Sequence, residues 1–145
     1  MTSWTARALG TLSFALLASL GACSDRGAME ARAIAQAITS FEQADPGDRA
    51  AALMALQNAP CHEPDTCGFR DACVTYGSAF VRARELVDKA RALGPEDGGG
   101  NGAATESERA IILASAQEAL QKAEGAESGC HAALERLHVR ATENR

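Results

Sequence analysis

Aromatic residues are scarce in this chain: one Trp, one Tyr and four Phe among 145 positions. Val and Thr are scarce as well, and no stretch alternates polar and apolar residues with period two. That removes the pattern of a half-buried strand and leaves helix as the reading for every long segment. After the N-terminus there is no second apolar run approaching the roughly 20 residues that span a bilayer. Basic residues are outnumbered, 14 to 19, for a net charge of −5. Such a balance disfavours nucleic acid and anionic lipid headgroups as partners. Catalytic signatures are missing too. There is no CxxC for thioredoxin-type redox chemistry, no CxxCH for haem attachment and no HExxH for a zinc hydrolase. There is no GxSxG elbow, and the Gly-rich stretch lacks the Lys-Ser/Thr of a phosphate-binding loop. A non-enzymatic protein without a cofactor is the expectation.

What is present begins with a secretory layout. Arg7 supplies the positive charge, Leu9 to Leu20 an apolar run of about a dozen residues, and Gly21 and Ala22 the small residues before a cleavage point. At 1.5 Å per residue that run is too short to cross the ~30 Å hydrocarbon core comfortably as a helix. Leu20-Gly21-Ala22-Cys23 resembles the lipobox of bacterial lipoproteins. The resemblance covers only the first 25 or so residues. It implies cleavage before Cys23, a thioether-linked diacylglycerol on that cysteine, and acylation of the new N-terminus. Two or three chains make a durable anchor where one gives only marginal binding. Ser24 rather than Asp after the cysteine implies the outer membrane. On this reading residues 1–22 are a signal peptide, 23–27 a lipidated tether, and 28–145 a single helical domain. Trp4 and Arg7 leave with the signal, so the mature chain has no Trp and one more net negative charge.

Punctuation in the remaining sequence predicts four helices. The first is expected over about Ala28 to Ala44, with Ile34, Ile38 and Phe41 inward. Asp45-Pro46-Gly47-Asp48 then restarts the chain, Asp45 as N-cap and Pro46 at the first helical position. The second helix runs to about Asn58 with Leu53 and Leu56 inward. A third is expected from Asp65 or Thr66 to about Leu93. Its stripe of Phe69, Cys73, Tyr76, Phe80, Ala83, Val87 and Ala90 keeps 4,3 spacing, and Glu85 and Lys89 form an i,i+4 pair on another face. A flexible Gly-rich connector, 94–104, follows. Thr105-Glu106-Ser107-Glu108 fits a capping box at the start of the fourth helix. The stripe there is Leu113, Ala116, Leu120, Ala123, Cys130, Leu134 and Leu137. Gly125 and Gly129 interrupt it and mark a kink, a close contact or a break. The fold class is all-α, an up-down four-helix bundle with two long helices.

Removing Cys23 from the five cysteines leaves Cys61, Cys67, Cys73 and Cys130, an even number that suits two disulfides in an exported domain. Cys67 and Cys73, if both helical, are ~9 Å apart along the axis and cannot easily pair. Two pairings remain: Cys61–Cys67 with Cys73–Cys130, or Cys61–Cys73 with Cys67–Cys130. Facing favours the first, because Cys73 and Cys130 both lie on apolar stripes. Height measured back from the connector favours the second. The balance leans to the first.

Two clusters could hold a metal. Cys61, His62, Glu63 and Cys67 supply zinc-type ligands, but disulfides would take the thiolates. His131, Glu135 and His138 lie along one face of the fourth helix at i, i+4 and i+7, spacing that also arises by chance on a polar face. The resulting expectation is a lipid-anchored envelope protein, in the outer membrane by its Ser24, serving as a structural or interaction module with an envelope protein as partner. The alternative is a periplasmic metal-binding or sensory helical module.

Overall fold

The structure, a computed structural model, describes residues 18–93 and 102–142, with side chains described for 26–93 and 106–142. Residues 1–17, 94–101 and 143–145 lie outside the described part, and with them most of the expected signal peptide and connector. Four helices follow one another: α1 Ala18–Gln43, α2 Arg49–Gln57, α3 Pro64–Ala92 and α4 Gly102–Thr142. Among the described residues there is no strand. No described helix is long and apolar enough to cross a membrane.

The helix boundaries follow from backbone chemistry, with departures from expectation. α2 begins at Arg49, not at Pro46, because residues 45–48 close as a turn. The Asp48 and Arg49 amides donate to the Asp45 carbonyl at 2.9 and 3.1 Å, and Gly47 is a poor helix former. α4 begins at Gly102, three residues before the capping box, where the helix-favouring Ala103 and Ala104 extend it. The connector is therefore shorter than 94–104. α1 runs through residues 23–27 without a break, although the first helix is expected only from about Ala28. α3 starts one residue before the expected Asp65, with Pro64 in the first turn, where a missing N–H does no harm.

Cys73 bonds to Cys130 with Cα atoms 4.4 Å apart, and Arg140 pairs with Asp65 at 2.7 Å. These two cross-links place α3 and α4 antiparallel. On that register the end of α3 stands level with about residue 111 of α4, so the first turns of α4 project past α3. Residues 106–111 are all exposed, and Ile112 is the first buried residue among the described side chains of α4. This overhang is why the height argument for the other disulfide pairing fails. Cys61 bonds to Cys67, Cα atoms 5.3 Å apart.

Pro46 and the start of α2 reach up to Arg84 and Asp88 of α3, while α1 packs against the lower part of the α3–α4 hairpin. The core sits there: Ala31, Ile34, Ala35 and Ile38 of α1 against Leu56, Ala59, Cys73, Cys130, Ala133, Leu137 and Ala141. Phe41 closes its top edge-on to Tyr76, ring centroids 6.2 Å apart. Gly77 lets α2 and α1 approach α3, since a Cβ there would lie 2.9 Å from a Leu53 methyl and 3.1 Å from the Phe41 ring. Above this level the two long helices meet along small residues, Ala83 and Ala90 facing Ile112, Ala116 and Ala123. Alanine permits close approach but buries little apolar area.

The α4 stripe read from sequence divides into two rows. Ala116, Ala123, Cys130 and Leu137 are buried against α3. Leu113 and Leu120 are 42% and 40% exposed. They belong to a neighbouring heptad row with Glu127, Leu134 and Ala141. Gly125 and Gly129 do not break α4, and nothing lies within 4 Å of a Cβ built at either. Glu85 lies 4.0 Å from Arg82 rather than pairing with Lys89.

Candidate functional site

The polar chemistry collects at the base of the bundle, where the start of α1, the loop before α3 and the end of α4 meet. Glu30 is the key residue. It lies on the apolar face of α1, one turn before Ile34, and is only 7% exposed. Its carboxylate is satisfied by donors from two places. The His62 backbone N–H reaches Oε2 at 2.9 Å, and the His62 ring Nδ1 lies 2.6 Å from Oε1. Arg26 Nε adds a third contact at 3.3 Å. Burial pushes the Glu30 carboxyl up, but the His62 and Arg26 hydrogen bonds outweigh it and hold it below the ordinary carboxylate value.

Arg26 Nη2 also lies 2.9 Å from His62 Nε2. A guanidinium can only donate, so Nε2 accepts and Nδ1 carries the proton toward Glu30. The pair has the look of a carboxylate-oriented base. However, the nitrogen that would act is occupied by Arg26, and the adjacent Cys61 is consumed in a disulfide. The arrangement fastens a loop to a helix.

A second fastening lies beside it. Arg140 of α4 donates to Glu63 at 2.6 Å, to Asp65 at 2.7 Å and to the buried Thr66 hydroxyl at 3.3 Å. Its guanidinium and that of Arg136 lie 5.8 and 5.9 Å from the Phe69 ring. Arg32 of α1 sends two N–H groups to the Ala141 carbonyl, at 2.7 and 3.1 Å, satisfying an orphan acceptor at the negative end of α4. Gly27 sits so close to Glu63 that a Cβ would lie 2.7 Å from its carboxylate. The first described side chains of α1 are thus built into the domain.

The residues singled out from sequence divide as follows. Cys61, Cys67, Cys73 and Cys130 are all disulfide-bonded, so the Cys61–His62–Glu63–Cys67 cluster offers no thiolate. His62 turns inward to Glu30. His131 lies 3.6 Å from Glu127 on its own helix, and Glu135 lines a shallow groove with Asp65, Phe69, Arg136, Val139 and Arg140. His138 is exposed. Among the described residues no group of three His, Cys, Asp or Glu side chains is placed to hold a metal ion. Cys23 falls within α1, but its side chain lies outside the described part. Sequence reasoning missed Glu30, Arg26 and Arg140. For Glu30 the signal was available: a carboxylate in line with Ile34 and Ile38 on an apolar stripe must be paired when the stripe is buried.

The upper hairpin is the second feature. Leu134 and Ala141, in the lower part of their α4 row, pack against the core that α1 completes. Leu113 and Leu120 continue the same row above the end of α1 and have no such cover. Beside this row Glu124 lies on the outer edge of α4. On α3, Asp88 pairs with Arg84 at 3.4 Å and with Arg91 at 3.3 Å. No family model matches the chain, and neither a curated protein nor a solved structure resembles it significantly.

Proposed function

We propose that the protein is a lipid-anchored module of the bacterial cell envelope, non-enzymatic, held by acyl chains on Cys23 and presenting the upper α3–α4 hairpin to an envelope protein. The observation that carries this reading is the two-part row on α4. One line of residues is covered by α1 below and left apolar and open above, at Leu113 and Leu120. The polar cluster supports a structural role, because each charged group in it is spent on joining chain segments. The lipobox supports the anchor, and Ser24 supports the outer membrane as its location. Two disulfides suit an oxidising compartment. Metabolic palmitate labelling of the producing cells tests the anchor. The wild type takes up label and partitions into detergent, whereas Cys23→Ser takes up none and is either soluble or retains its signal. A wild type without label overturns the anchor.

A further inference from the structure

The anchor point and the folded domain are separated by almost no chain. We infer that the base of the bundle rests directly on the lipid headgroups, with the α3–α4 hairpin standing away from the membrane. This rests on the proposed lipidation of Cys23. Arg26 is three positions after Cys23, with only Ser24 and Asp25 between, and it is already bonded to Glu30 and His62. Gly27 is pressed against Glu63, and Ala28 is buried at 5% exposure. The helix continues unbroken back through Cys23. Three residues rise about 4.5 Å as helix and span at most about 10 Å fully extended. The domain therefore has no slack with which to leave the surface.

The same base contains the loop with His62 and the C-terminal turn of α4. Met29 and Val139 are its large exposed apolar side chains, 66% and 58% exposed. On the α4 side, charge favours the upright posture over a recumbent one. The chain carries a net −5, and the upper part of α4 displays Glu106, Glu108, Glu118, Glu124 and Glu127 against Arg109 and Lys122, all exposed. An anionic lipid surface repels that part of α4 if the molecule lies down on it. α4 alone, at 41 residues, is about 60 Å long, so the uncovered Leu113 and Leu120 are carried well clear of the membrane. Apposition at the base and presentation at the tip are two consequences of one short link.

The mature chain has no Trp, which supplies a direct test. Met29→Trp, Val139→Trp and Ile111→Trp, each at an exposed position, are prepared as lipidated full-length protein in vesicles of phosphatidylethanolamine and phosphatidylglycerol. A headgroup-attached nitroxide lipid serves as quencher. Met29→Trp and Val139→Trp should be quenched several-fold more than Ile111→Trp. Inserting a 20-residue Gly/Ser linker after Ser24, with a mean span of about 25 Å, should bring Met29→Trp down to the Ile111→Trp level. Equal weak quenching at all three positions overturns apposition. Strong quenching at Ile111→Trp overturns the upright posture, and quenching that survives the linker overturns the role of the short link. Mass spectrometry of the same samples separates these failures from failure of the lipid reading. Protein without acyl chains refutes the anchor itself, whereas acylated protein with an unquenched base refutes only this inference.

Discussion

Removing the two disulfides one at a time should separate their contributions by the length of chain each closes. Cys73–Cys130 spans 57 residues and includes the whole connector, while Cys61–Cys67 spans 6. The loops follow one another without overlapping, so the entropy each removes from the unfolded chain is independent of the other. The chain-entropy relation gives about 4 kcal/mol for the long loop and about 2 kcal/mol for the short one at room temperature. Packing acts in the same direction. Cys73 and Cys130 are 1% and 2% exposed within the core, whereas Cys61 and Cys67 are only half-buried, and their loop is also held by Glu30 and Arg140. The perturbation is Cys73→Ala with Cys130→Ala, compared with Cys61→Ala with Cys67→Ala. The assay is urea unfolding followed by helical circular dichroism. The long-loop variant should lose about twice as much stability. Its denaturant slope should rise, because its unfolded chain exposes more surface. A short-loop variant that loses as much as the long-loop variant would refute the reasoning and make the basal fastening, not chain entropy, the source of stability.

Gly125→Ala and Gly129→Ala should each stabilise by about 0.5–1 kcal/mol, since both are exposed mid-helix positions with open space for a Cβ. Gly77→Val should instead cost about 1–3 kcal/mol by driving α2 off α3, and thermal melts of the three variants should show the opposite signs. The acid limb of stability should depend on Glu30. Its carboxyl is held below the ordinary 4.5, so its contribution is complete above that pH and is lost as pH falls through the lowered value. Glu30→Gln should therefore flatten the pH dependence of the melting temperature below about pH 4.5. An unchanged acid limb would show that other carboxylates set it.

Helix identity, the inward residues of α1 and α2, and the turn that separates those two helices are local properties. Spacing along the chain and backbone chemistry determine them before any helix meets another, so Ile34, Ile38, Phe41, Leu53 and Leu56 could be placed inside from the sequence alone. The preferred cysteine pairing was also within reach, because helical geometry excludes Cys67–Cys73 and facing favours Cys73–Cys130. Tertiary structure decided the rest. Whether Leu113 and Leu120 are core depends on where α1 stops in space, at Gln43, and nothing within α4 encodes that. The overhang of α4 past α3 depends on the register of two helices locked by a bond between residues 57 apart. The join of Arg26, Glu30 and His62 brings together groups on α1 and a loop 32 to 36 residues later, a distance over which sequence periodicity carries no information. The carboxylate on an apolar stripe announced that a partner was needed; only the packing of the loop against α1 determined which one it found.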